Sequence, residues 1–137
     1  MQADVAVILG TRPEAIKLAP VVLSLRARGL QVRVIASGQH RDLLQLALTT
    51  FGLRPDVDLQ AMQEDQQLAD LTGRLVPGLA RALQDDRPRM GLVQGDATTA
   101  LMGAFACFYQ HIPCGHVEAG LRSGRRMAPW QIGRAHV

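Results

Sequence analysis

Four short apolar runs, each breaking off into a cluster of glycine and polar residues, limit this chain to few folds. Val5-Ala-Val-Ile-Leu9 leads into Gly10-Thr-Arg-Pro-Glu-Ala-Ile-Lys17, and Val32-Arg-Val-Ile-Ala36 into Ser37-Gly-Gln-His-Arg41. Met90-Gly-Leu-Val93 leads into Gln94-Gly-Asp-Ala-Thr-Thr99, and Ile112-Pro-Cys-Gly-His-Val117 into Glu118-Ala-Gly-Leu-Arg122. Runs this short and this largely apolar suit strands of a buried parallel sheet. Helical patterns separate them, and strand-helix alternation with right-handed crossovers builds an α/β fold, a Rossmann-like parallel sheet with flanking helices. The carboxyl ends of such strands share one edge, where ligands bind. The four clusters are therefore expected to meet there.

The first helix is expected to open at a capping box, Thr11-Arg-Pro-Glu14, and to end near Arg28, where Gly29 provides a left-handed cap. Pro13 is tolerated in its first turn, and Pro20 is expected to bend it. Leu43, Leu44, Ala47 and Leu48 predict a helix over 41–51, closed by Gly52. Residues 54–59 read as a loop with a short extended piece. Over 66–83 an amphipathic helix places Leu68, Leu71, Leu75, Val76, Leu79 and Leu83 on one side, with Gly73 and Pro77 expected to disturb it. Residues 85–88 read as a turn, and a helix rich in small residues follows from Thr98 to Tyr109.

With 137 residues there is one domain's worth of core, and no apolar run approaches the roughly 20 residues that span a bilayer. No signal-peptide pattern precedes the first strand, so the setting expected is cytoplasmic, with no membrane partner. Cys107 and Cys114 lack metal or disulfide spacing and are read as two buried, reduced thiols. The net charge of +3 comes from scattered arginines with few aromatics, which argues against a nucleic-acid surface, and no nucleic-acid partner is expected. Among fifteen basic residues the one lysine, Lys17, falls inside a strand-end cluster.

At positions 10–14 a strand turns into a helix N-terminus, where free N–H groups and the helix dipole favour an anion. Arg12 is placed to bind phosphate bidentately, with Lys17 further along the helix. A surface charge is the alternative reading of Arg12. Asp96 reads either as a cap of the following helix or as a site carboxylate. Glu118, at the end of what should be a central strand, is expected to be buried, so that with Asp96 it forms an acid-base pair. His116 reads as a hydrogen-bonded core imidazole, and His40 as a turn residue. Neither Gly-x-Gly-x-x-Gly nor Gly-x-x-x-x-Gly-Lys is present, which argues against an ordinary dinucleotide site or P-loop.

Taken together, residues 10–20, Gly38-Gln-His-Arg41, Gln94-Gly-Asp-Ala-Thr-Thr99 and His116-Val-Glu-Ala-Gly-Leu-Arg-Ser-Gly124 resemble the non-hydrolysing UDP-N-acetylglucosamine 2-epimerases, in that family's order and approximate spacing. The resemblance implies the N-terminal half of a two-domain GT-B-type fold and an isomerase that interconverts UDP-GlcNAc and UDP-ManNAc. The implied route eliminates UDP to give 2-acetamidoglucal and adds it back, with no cofactor and no metal. It further implies Asp96 and Glu118 as catalytic carboxylates, and Arg12 and Lys17 with them as substrate-binding residues. Gln39 and His40 correspond to a regulatory UDP-GlcNAc site of some members, although Asp42 departs from that pattern. A homodimer, serving polysaccharide biosynthesis, is implied for the full-length protein. Alternatives are a hydrolysing UDP-GlcNAc 2-epimerase and a stand-alone nucleotide-sugar-binding module.

After Ala128-Pro-Trp130 the family pattern continues Pro-Glu-Glu, whereas this chain reads Gln131-Ile-Gly-Arg-Ala-His-Val137. Ile-Gly-Arg-Ala-His-Val is encoded by ATCGGAAGAGCACACGTC, part of a common sequencing adapter. Residues 1–130 are thus expected to be an incomplete N-terminal domain and 131–137 a non-native, adapter-derived tail. The chain as it stands is expected to be inactive.

Overall fold

Alternation of side chains along the first strand, β1 (Val5–Leu9), divides the core in two. Val5, Val7 and Leu9 pack in one apolar cluster, and Ala6 and Ile8 in the other. The computed structural model describes residues 2–39, 41–120 and 123–127. Around β1 lie α1 (Arg12–Ala27), β2 (Val32–Ala36), α2 (Arg41–Thr50) and β3 (Val57–Asp58), followed by α3 (Leu68–Asp86), β4 (Met90–Gln94), α4 (Thr98–Tyr109) and β5 (Cys114–Val117). All pairings are parallel, in the order β3-β2-β1-β4-β5. This is the Rossmann-like sheet expected.

Chain order and sheet order diverge at β1. The chain first steps outward from β1 to β2 and β3, then crosses back through α3 to place β4 on the other side of β1. The two helix pairs consequently cover opposite faces: Leu18, Val22, Leu44 and Leu48 from α1 and α2 on one, Leu75, Leu79, Leu83, Ala100 and Ala106 from α3 and α4 on the other. Between β1 and β4 the connections leave in opposite directions, which opens a crevice at the carboxyl ends of those strands.

Most expected elements form where the hydrophobic pattern puts them, with several local differences. Pro20 lies within a continuous α1, and Gly73 and Pro77 within a continuous α3. Residues 85 and 86 extend α3 instead of forming a turn, and Arg87 closes that helix in the left-handed conformation at φ 44°. Leu68 is exposed, and the buried stripe of α3 runs through Leu71, Leu75, Leu79, Ala82 and Leu83. The thiol expectation holds for Cys107 alone, because Cys114 is exposed. It begins β5, which has a neighbour on one side only in the described sheet. Residues 131–137, read above as an adapter-derived tail, lie outside the described residues. No helix among the described residues is long and apolar enough to cross a membrane.

Two glycines distinguish packing from helix propensity. A Cβ on Gly103 in α4 would lie 2.9 Å from Val93 Cγ1 and 3.2 Å from Ile8 Cγ2, whereas one on Gly73 in α3 would meet nothing within 4 Å. Urea unfolding should therefore show Gly103→Ala destabilised by about 1–3 kcal/mol through overpacking. Gly73→Ala should be stabilised by roughly 0.5–1 kcal/mol, the propensity difference in an exposed helix.

Candidate active site at the strand switch point

The ends of β1, β2 and β4 converge on Gly10. Ser37, just past β2, and Thr99, in the first turn of α4, are both buried and share a hydrogen bond of 2.8 Å between their hydroxyls. The Gln39 side-chain carbonyl accepts from the Thr99 hydroxyl at 2.6 Å. Gln39, expected at a regulatory site, thus ties the loop after β2 to α4. His40, its expected companion there, lies outside the described residues.

Beside this junction is a cavity of about 310 Å³, lined by Thr11, Pro13, Glu14, Lys17, Gln94, Gly95, Asp96, Ala97 and Glu118. It joins the first turn of α1, the loop between β4 and α4, and the residue after β5. A larger cleft, about 590 Å³, opens among Gln2, Arg87, Pro88 and Ile112, which precede their strands. It therefore lies at the amino-terminal edge of the sheet, away from the strand-end clusters. Chemistry and topology favour the smaller cavity.

Asp96, Glu118 and Lys17, three of the expected site residues, line this one cavity. The Lys17 ammonium donates to Glu118 Oε2 and forms an ion pair with it, and the Gln94 side-chain amide donates to the same oxygen. The hydrogen bond from Lys17 is the main reason that the Glu118 carboxyl titrates below its ordinary range. Arg12 is exposed on the first turn of α1 and is not among the lining residues.

Glu118 corrects the expectation of burial: it is exposed. Its strand is at the edge of the described sheet, and its own φ of 59° is left-handed, a conformation costing a residue with a Cβ roughly 1–2 kcal/mol. Backbone strain of this kind is commonly concentrated at functional sites. Asp96 is not the N-cap of α4, since Ala97 occupies that position without a side-chain cap. His116 is the hydrogen-bonded imidazole expected, with Nε2 2.7 Å from the Gly95 carbonyl oxygen. This contact joins β5 to the turn that carries Asp96.

The sequence reading gave no site role to Glu14 and Gln94. Thr11 makes no side-chain cap bond, and Glu14 instead reaches back to accept the Gly10 N–H at 2.9 Å. Its side chain is 2% exposed, and Oε1 is buried with no hydrogen-bond partner among the described residues. Burial pushes the Glu14 pKa up to about 7, opposed by the Gly10 N–H and by Thr11 and assisted by the charge of Asp96. Only the strand-turn-helix spacing marked Glu14 in the sequence, and that spacing says nothing of its burial. Gln94 was marked in the sequence only as the first residue of the cluster Gln94-Gly-Asp-Ala-Thr-Thr99.

A parallel sheet wound in both directions, with a cavity bearing charged side chains at its switch point, defines a Rossmann-like α/β domain of the type that accepts ligands beyond its strand ends. The chain belongs to the UDP-N-acetylglucosamine 2-epimerase family, whose sequence profile matches residues 23–134. It is similar to the UDP-N-acetylglucosamine 2-epimerase of Salmonella typhimurium, 46% identical over 92% of this chain and 34% of that protein. The Campylobacter jejuni protein of the same description is 45% identical over 95% of this chain and 34% of its own length. Among solved structures, UDP-GlcNAc 2-epimerase from Neisseria meningitidis bound to UDP-GlcNAc superposes with a TM-score of 0.85 at 41% identity, covering 93% of this chain and 35% of that one. The chain spans about a third of the length of these relatives.

Glu14 makes a stability prediction with a definite sign. Its folded pKa of about 7 exceeds its ordinary value of 4.5, so the folded state holds a proton that the unfolded state releases between those values. The contribution is complete below about pH 4.5 and is lost as pH rises to about 7, by about 3 kcal/mol at most. Glu14→Gln should remove this component, giving a smaller fall in stability between pH 5 and pH 8 by urea unfolding. An unchanged pH slope would contradict the assignment.

Proposed function

We propose that this chain is the N-terminal, Rossmann-like part of a non-hydrolysing UDP-GlcNAc 2-epimerase that interconverts UDP-GlcNAc and UDP-ManNAc. One observation carries the reading within the family: Asp96, Glu118 and Lys17 line a single cavity at the strand switch point. The UDP-GlcNAc-bound Neisseria meningitidis relative supports a nucleotide-sugar ligand.

In this reading a carboxylate removes the proton from C2 of the sugar while the C1–O bond breaks and UDP departs with the bonding electrons. The 2-acetamidoglucal left in the cleft is then reprotonated at C2 on the opposite face as UDP adds back to C1. Asp96 and Glu118 divide proton removal and return between them. Lys17 holds Glu118 ionised, as a proton acceptor must be, and Gln94 fixes the same oxygen. Arg12, at the N-terminus of α1, contributes a cation for the pyrophosphate once the ligand bridges to the second domain of the GT-B-type fold. The complete enzyme works as a cytoplasmic homodimer serving polysaccharide synthesis, and Gln39 and His40 belong to its regulatory region.

In this proposal residues 1–130 are the incomplete first domain and 131–137 the adapter-derived tail. Sequencing the DNA beyond the Trp130 codon tests this: an open frame continuing through Pro-Glu-Glu into a second domain is the expected result. Product analysis of the complete enzyme tests the chemistry. UDP-ManNAc formed reversibly from UDP-GlcNAc is expected, whereas free ManNAc with UDP would identify the hydrolysing type.

In the complete enzyme, Asp96→Asn and Glu118→Gln should each lower kcat by about 10²- to 10⁴-fold with modest change in KM, the usual cost of losing a proton-transfer group. Arg12→Ala should also weaken affinity for UDP, because a phosphate contact precedes the transition state.

The 137-residue chain itself should not turn over UDP-GlcNAc. Half a cleft cannot orient the sugar, and orientation supplies roughly 7–11 kcal/mol of barrier lowering. Turnover near 1 s⁻¹ or above, about the lower end for enzymes, would refute this. The assay is NMR of the purified chain incubated with UDP-GlcNAc.

A further inference from the structure

Glu14 takes no part in the reaction scheme above, yet it is the most deeply buried ionisable side chain in the cavity wall. Oε2 is held by the Gly10 N–H, while Oε1 is enclosed without a hydrogen-bond partner among the described residues. A buried carboxylate normally has both oxygens satisfied, because leaving a charged acceptor unpaired is costly. A carboxylic acid with its proton on Oε1 would instead carry no charge there, which removes the cost of an unpaired buried anion.

The surrounding charges point the same way. Among the described residues, the ionisable groups lining the cavity are Glu14 and Lys17 on α1, Asp96 after β4, and Glu118 after β5. Lys17 is already engaged by Glu118. Arg12 is exposed outside the lining, and His116 on β5 is committed through Nε2 to the Gly95 carbonyl. A nucleotide diphosphate-sugar would bring two further negative charges into a cavity where Asp96 already disfavours ionisation of Glu14.

We propose that Glu14 becomes protonated when a nucleotide diphosphate-sugar occupies the cavity, so that ligand binding is coupled to proton uptake at this carboxyl. The inference rests on the reading of the cavity as a nucleotide-sugar site. Binding and protonation are reciprocally linked: the ligand favours the neutral acid, and the neutral acid favours the ligand. With the free carboxyl poised near 7, the coupling falls within the working pH range.

Calorimetric titration of the complete enzyme with UDP-GlcNAc, whose diphosphate diester does not itself titrate near neutrality, tests this. Measurements at pH 8 in buffers of different ionisation enthalpy should show net uptake approaching about one proton per site. Affinity should fall with rising pH above about 7, by up to about tenfold per unit. Glu14→Gln, neutral at every pH, should lose this uptake and flatten the profile, with affinity at pH 8 above that of the wild type. Wild-type binding without proton uptake overturns the inference whatever the variant does, and uptake undiminished in Glu14→Gln overturns it by assigning the proton elsewhere. Binding and epimerisation without linkage leave the epimerase reading standing, whereas no binding at any pH defeats both.

Discussion

The approach of three strand ends around Gly10 is the contact on which the site depends, because it brings the α1 turn against the loop leading into α4. A Cβ at position 10 would stand 2.0 Å from Ser37 Oγ and 2.5 Å from Thr99 Oγ1, so any other residue would force these side chains out of their present positions. The two hydroxyls bond each other across this gap, and Gln39 adds a further link to Thr99. Moving β1 away would carry the Gly10–Glu14 turn with it and separate Glu14 and Lys17 from the loop that bears Asp96. Packing at one glycine therefore sets the spacing of charged groups that come from three parts of the chain.

Within the resulting cavity the same functional group has two different environments. Glu118 is solvent-exposed, but an ammonium and an amide share one of its oxygens, and the ionised form is favoured. Glu14 is buried in the cavity wall, where loss of hydration outweighs the Gly10 N–H and Thr11, and the neutral form is favoured. Opposite shifts of two carboxyls in one cavity allow one to accept a proton at a pH where the other can still hold it. The stability given up by burying Glu14 and by the left-handed backbone at Glu118 is concentrated at the same place.

Much of the architecture was legible in residue order. The period-two alternation within β1, the leucine spacing of α3 and the small residues of α4 each identify an element, because burial on a strand or helix imposes its own repeat. The convergence of Lys17, Asp96 and Glu118 followed from the parallel βα order. Local patterns failed where packing between elements decided the outcome. Pro20 and Pro77 read as disturbances, yet each lies inside a continuous helix whose apolar side is anchored to the sheet. Glu118 read as buried because its strand was expected to be central, and Cys114 as a buried thiol, but the described sheet covers β5 on one side only.

Glu14 marks the boundary between what sequence and tertiary structure determine. Its place one turn into a helix, with a carboxylate able to reach back to the preceding turn, follows from Gly10-Thr-Arg-Pro-Glu14 alone, since helix geometry relates neighbouring residues through the backbone. Its place in one cavity wall with Gly95, Asp96 and Ala97, which come from a distant part of the chain, does not. Hydrogen-bond reach is a local property; hydration is removed by whatever the fold brings alongside. The sequence by itself thus determined the sheet, the helices and the shared edge of the clusters. Only the tertiary structure decided which carboxyls are buried, which are paired and what charge each carries, because desolvation and Coulomb energies depend on distances between segments that the linear order does not specify.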